Sequence, residues 1–248
     1  MGSHESRCLN CFTSASAELP ADPVADDSAS YYGMPDSKFV PQSSTEDDML
    51  RQIHEAQAKF SELLKIDLPS CDFEYAPDHP EYNIYFKDTP AGFTLVSQWT
   101  VPCAPQQFVE FLTRVELRTA WDKTIELAQK VRDVSDSVSL YRQVYKRTVM
   151  KTDREVLFLS KVEKQGSNWL NVCTSYTDAA DQATVRIAVG GFFVEPAGEH
   201  AKVTNIVDTA FAGAVPKAML RELSVSHVPT YVEALLQALQ RFQSGKLT

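Results

Sequence analysis

Hydrophobic and polar positions change period along the chain, and the changes mark its elements. From Met49 to Leu63, apolar residues recur at i, i+3 and i+4 (Met49, Ile53, Ala56, Phe60, Leu63), the spacing of one buried helix face. Ser43-Ser44-Thr45 stands before Glu46-Asp47-Asp48, so a hydroxyl can cap the helix and acids can meet its positive end. Pro69 sets its limit. Beyond it the pattern shortens to strands, predicted at Cys71–Ala76, Tyr82–Asp88 and Gly92–Val101, with Pro90-Ala91-Gly92 as the turn between the last two. Pro102-Cys103-Ala104-Pro105 opens a second helix with Phe108, Phe111 and Leu112 on its buried side.

Six further strands are predicted at Ile125–Val134, Val138–Arg147, Asp153–Lys164, Asn168–Thr177, Ala183–Val194 and Ala201–Ala212. Long strands joined by short turns imply an antiparallel meander. The sheet then feeds one amphipathic helix, from about Ala214 to Phe242, with Leu220, Leu223, Tyr231, Leu235 and Phe242 near one face. Pro229 removes an internal hydrogen bond and is expected to kink it, which suits a movable lid. A curved sheet around a single helix encloses space, and the pattern therefore predicts an α+β body with a lipid-sized cavity.

Composition narrows the functions. The 248 residues are 44% hydrophobic, enough for a sizeable core, with a net charge of −9. An acidic chain without a basic stripe is a poor partner for nucleic acid. Five scattered cysteines (Cys8, Cys11, Cys71, Cys103, Cys173) do not form a disulfide framework, and no apolar run is long enough to span a bilayer. The five histidines are dispersed, and no H-E-x-x-H, G-x-S-x-G or phosphate-loop motif is present. The remaining enzyme reading is an acid-base pair in the cavity, such as Asp122 with Tyr141.

Residues 1–43 are rich in Ser, Ala, Asp and Pro without periodicity, which predicts a disordered tether ahead of a domain at 44–248. The chain opens Met1-Gly2-Ser3-His4-Glu5-Ser6, the N-myristoylation pattern with Gly2 as acceptor. One myristoyl chain binds membranes only marginally, so a second anchor is needed. Palmitoylation of Cys8 or Cys11 would supply it, since a polybasic patch is absent. An unmodified terminus, or half of a zinc site at Cys8-x-x-Cys11, is the alternative. Together these features place the protein on the cytoplasmic face of a membrane, or otherwise in the cytoplasm.

From about Ser44 to its end, the chain resembles a START domain, the lipid-transfer module related to steroidogenic acute regulatory protein. The resemblance rests on Trp121-Asp122, on Arg154 to Ser160, on Val185-Arg186 followed by Gly190 to Pro196, on Gly213-Ala214-Val215-Pro216, and on Val228-Pro229-Thr230-Tyr231, all in the family's order. It implies a helix-grip fold: a U-shaped antiparallel sheet around a long C-terminal helix, holding one lipid without cofactor or covalent step. Ser160 stands where sterol-binding members carry Arg, which favours a phospholipid or sphingolipid. By resemblance, Asp122, Gln143, Thr174 and Asn205 fall where ceramide-carrying members place headgroup-binding residues. Each can equally be a cap or a satisfied structural amide.

Strand alternation assigns the inward face as Tyr141, Gln143 and Tyr145; Val156, Phe158 and Ser160; Leu170, Val172, Thr174 and Tyr176; and Val203, Asn205 and Val207. Leu220, Leu223 and Tyr231 complete the expected cavity from the helix. Val149 and Met150, flanked by Lys and Arg, would form a membrane-dipping loop beside the lid. The expected function is a membrane-tethered lipid carrier that transfers its cargo between membranes. A lipid-gated sensor with the same fold is the alternative, and protein partners are unspecified. Replacing Gly2 by Ala is expected to move the protein from membrane to soluble fractions in cell fractionation; unchanged retention would refute anchoring through Gly2.

Overall fold

The computed structural model describes residues 45–146, 155–176, 185–211 and 217–247. Helix α1 spans Glu46–Leu64, and Thr45 caps it by accepting a hydrogen bond from the Asp48 N–H at 3.2 Å. Three strands follow, β1 (Glu74–Ala76), β2 (Ile84–Asp88) and β3 (Gly92–Val101). Helix α2 (Pro105–Thr113) runs into a 3-10 helix over Val115–Ala120, for which the sequence shows no periodicity. Six strands then form a meander: β4 (Ile125–Asp133), β5 (Val138–Tyr145), β6 (Glu155–Gln165), β7 (Asn168–Ser175), β8 (Val185–Ala197) and β9 (His200–Phe211). Helix α3 (Lys217–Gln243) follows and passes through Pro229.

The nine strands make one antiparallel sheet in the order β1-β2-β3-β9-β8-β7-β6-β5-β4. Only the β3–β9 pair joins distant parts of the chain, in unbroken register from Gly92 opposite Ala210 to Val101 opposite Ala201. Both faces of the sheet are covered, and two cores result. The outer core sets Met49, Ile53, Ala56 and Phe60 of α1 against Val96, Leu140, Leu159, Leu170, Val172 and Ile206. Polar contacts fix the helix there. Lys59 pairs with the buried Asp208, which also accepts from the Thr94 hydroxyl at 3.0 Å. Gln57 accepts from Lys161 at 2.7 Å and donates to Glu163 at 3.0 Å.

The inner core packs α2 and α3 on the opposite face, with Phe93, Leu95, Trp99, Val101, Val194 and Val203 meeting Phe108, Phe111, Val232 and Leu235. Gly191 allows β8 to approach β7. Its φ is +151°, and a Cβ there would lie 2.0 Å from the Asn171 carbonyl oxygen. Phe60 is fully buried at the centre of the α1 contact. Phe60→Ala should cost about 3–5 kcal/mol, read as a lowered urea midpoint with retained far-ultraviolet helicity; a change below about 1 kcal/mol would mean that α1 is not part of the cooperative core.

Candidate functional site

The inner face is not filled evenly. At the β3–β9–β8 end, Trp99, Phe108 and Phe192 pack edge to face, with Trp99–Phe192 and Phe108–Phe192 centroids 6.4 and 6.2 Å apart. Toward β5, β6 and β7 a cavity of about 80 Å³ remains. Tyr141, Phe158, Ser160, Asn171, Cys173 and Phe192 line it from the sheet, Tyr231 from α3, and Arg118 and Trp121 from the connection after α2. That volume falls below the roughly 300–1,000 Å³ of small-molecule sites. A whole lipid enters only if the helix or the aromatic walls move.

Arg118 supplies the charge. It lies on the 3-10 helix four residues before Asp122, whose side chain is 6% exposed, and its Nε donates to Asp122 Oδ2 at 3.2 Å. The other carboxylate oxygen, Oδ1, accepts from the Thr124 N–H at 3.0 Å and the Thr124 hydroxyl at 2.5 Å. Asp122 is thus held in a turn and orients the guanidinium, which stacks near Trp121 and Tyr231 at 5.9 and 6.0 Å. Burial opposes the charge on Arg118, but Tyr231, Asp122 and Tyr145 outweigh it and hold its pKa above the ordinary arginine value. Burial pushes the Cys173 thiol up to about 11 and the Tyr231 hydroxyl up to about 12, so both stay protonated. The ion pair therefore sits among neutral hydrogen-bonding groups.

Helix, turn and sheet meet here in an arrangement that comparison with other proteins identifies. The START domain family model matches residues 74–245. The chain belongs to the START family. Among solved structures, human StAR-related lipid transfer protein 5 superposes with a TM-score of 0.68 at 12% identity, covering 80% of this chain and 100% of that one. Human STARD10 gives 0.64 at 11% identity, covering 85% and 86%. A STAR-related lipid transfer protein fragment from Xanthomonas axonopodis gives 0.57 at 14%, covering 68% and 99%. At these identities the likeness is one of fold. A comparison with curated protein sequences finds no match.

The START sheet brings only some of the expected residues together. Tyr141 and Phe158 stack at 5.3 Å inside the cavity, and Tyr231 faces them from α3. Gln143, 4% exposed, lies beyond Tyr141 on the same face; its side chain hydrogen-bonds Tyr145, and its Oε1 has no partner. Asn205 lies on this face opposite Phe192 but donates to the Gly191 carbonyl at 2.8 Å.

Thr174 and Tyr176 are corrections to the expected inward set. They share the α1 face with Leu170 and Val172: Thr174 is opposite Leu159 and donates to the Ala188 carbonyl at 3.0 Å, and Tyr176 is in the outer core. Leu170, Val172 and Thr174 are the buried set of β7 and Trp169, Asn171 and Cys173 the half-buried one; the buried set joins the outer core, and alternation alone could not say which core it meets. The inward set is Trp169, Asn171 and Cys173.

Leu220 and Leu223 belong to α3, but their side chains are outside the described residues, as are Gly2, Cys8, Cys11, Val149 and Met150. Sequence reasoning missed Arg118, Asn171, Cys173 and Phe192. For Arg118 the available signal was the i, i+4 spacing to Asp122.

No cluster of three or more metal-ligating side chains occurs among the described residues, and no described helix is long and apolar enough to cross a membrane. His227, on α3 with its ring 5.9 Å from that of Tyr231, has its pKa lowered by burial and by Arg118, against an opposing effect of Asp122. The folded chain then keeps His227 neutral where the unfolded chain takes up a proton. Stability should fall as the pH drops below the ordinary 6.5, and the loss should level off once the folded value is passed. His227→Gln is expected to flatten this part of the curve of urea midpoint against pH; an unchanged slope between pH values of about 7.5 and 5.5 would exclude the contribution.

Proposed function

We propose that this START domain is a non-enzymatic carrier of a phosphate-bearing lipid, a phospholipid or phosphosphingolipid, with its headgroup at Arg118. One observation carries the reading. Asp122 engages only the Nε of Arg118, and among the described residues the terminal guanidinium nitrogens have no protein partner while the side chain borders the cavity. A guanidinium so fixed offers a planar fork of donors, the geometry that recognises phosphate oxygens. Gln143 Oε1, buried and unpartnered, is suited to accept from a donor on the same headgroup. Tyr141, Phe158 and Phe192 offer apolar wall for the hydrocarbon beyond it.

The closed cavity holds no more than part of such a ligand. Loading therefore involves displacement of α3, and Pro229, which lacks an N–H, supplies a weak point in that helix. Residues 1–43 serve as the tether, with acylation at Gly2 and at Cys8 or Cys11, and residues 44–248 as the carrier. Val149 and Met150 would enter the bilayer during exchange. The structural neighbours above 0.6 in TM-score include one whose name describes lipid transfer, which supports the non-enzymatic reading.

The test is transfer between vesicles by the full chain, with fluorescent phosphatidylcholine, phosphatidic acid and ceramide as cargo. Phosphate-bearing lipids should move faster than ceramide, and Arg118→Gln should weaken their binding by about ten- to a hundredfold, the value of a charge-assisted hydrogen bond. Equal handling of ceramide, with Arg118→Gln silent, would remove the phosphate from the mechanism.

A further inference from the structure

Resting on the carrier reading, we propose that the inner face carries a polar pair beyond Phe192, Ser97 and Trp99, which meets the bound chain once Phe192 swings aside and selects a lipid with a hydroxylated hydrocarbon chain. The register places a row of inward residues across four strands. Asn171 of β7 is opposite Phe192 of β8, Phe192 is opposite Asn205 of β9, and Asn205 is opposite Ser97 of β3. Neighbouring strands lie about 4.8 Å apart, so Ser97 stands roughly 14 Å from Asn171 along the floor. Asn171 and Phe192 line the cavity; Asn205 and Ser97 lie beyond Phe192.

Ser97 is fully buried, and its hydroxyl has no hydrogen-bond partner. Trp99, two residues along on the same face and 5% exposed, has an equally unpartnered indole N–H. Apolar side chains surround them: Leu95, Val101 and Val203 share the inner core with Trp99. Burying two unmatched polar groups in one apolar wall is costly, and such groups ordinarily have partners. A lone hydroxyl on an otherwise apolar chain answers both, accepting from Trp99 Nε1–H and donating to Ser97 Oγ, while the rest of the chain meets the surrounding hydrocarbon. A plain saturated chain would leave both groups unmatched. Phe192 controls access: it borders the cavity on one side and meets Trp99 edge-on on the other.

The full chain is equilibrated with vesicles containing distearoyl phosphatidylcholine and an equal amount of phosphatidylcholine carrying hydroxystearoyl chains with the hydroxyl at varied positions. Bound lipid is then identified by native mass spectrometry. The hydroxylated lipid should be enriched about two- to tenfold, the value of a neutral hydrogen bond. Ser97→Ala and Trp99→Phe should each bring that ratio toward one; Ser97→Ala should retain or raise the melting temperature because an unmatched buried polar group is removed, whereas Trp99→Phe should lower it through lost packing on Phe192. Equal binding of both lipids would overturn the inference. Enrichment that persists in both variants would also overturn it. Failure to bind either lipid would refute the carrier reading and this inference with it.

Discussion

Strands β3 and β6 to β9 have to serve two cores at once, α1 on one face and α2 with α3 on the other. A sheet with one wet face alternates apolar and polar residues, and a sheet buried on both faces cannot. Polar residues on either face must then find partners within the protein. On the outer face several do: Asp208 meets Lys59 and Thr94, and Lys161 meets Gln57. Unmatched buried atoms remain on both faces: Tyr176 OH and Arg132 Nε on the outer face, and Ser97 Oγ, Trp99 Nε1 and Gln143 Oε1 on the inner one. What distinguishes the inner face is the cavity that Tyr141, Phe158 and Asn171 line there.

Charge is distributed on the same principle. A half-buried arginine without a counter-ion would turn to solvent or draw water inward. Asp122 prevents this, and Thr124 spends its own N–H and hydroxyl to hold the carboxylate in place. The arrangement fixes Arg118 through Nε while its side chain borders the cavity. Trp121 and Tyr231 flank it and limit its rotamers. Helix α3 thus contributes to the electrostatics of the site as well as to its roof, so moving that helix changes the environment of the charge.

Much of the fold was legible in the sequence. Period-two runs between Gly, Pro and Asp turns located nine strands, and β3 is bounded by Gly92 and Val101 as expected. The Thr45 cap was marked by its acids, and the inward set on β5 and β6 followed from alternation. The β7 set did not, because Leu170 and Val172 mark a buried face without saying which core they join. Arg118 was hidden because its 3-10 turn has no period, and the size of the cavity is a sum of packing distances that no local pattern encodes. The order of family motifs identified the fold, while the residues that line the site depend on register.

A cavity of about 80 Å³ in a START domain has a physical consequence. An open lipid-sized void would forfeit dispersion contacts along its whole lining. Phe192 and Tyr231 occupy that space and keep contacts with Trp99, Phe108 and Trp121. A ligand must replace these contacts, and each methylene it buries contributes about 0.8 kcal/mol. Long chains can meet that requirement and small solutes cannot. Preference for long hydrocarbon chains over small solutes therefore follows from the packing of the inner core, before any headgroup contact is made.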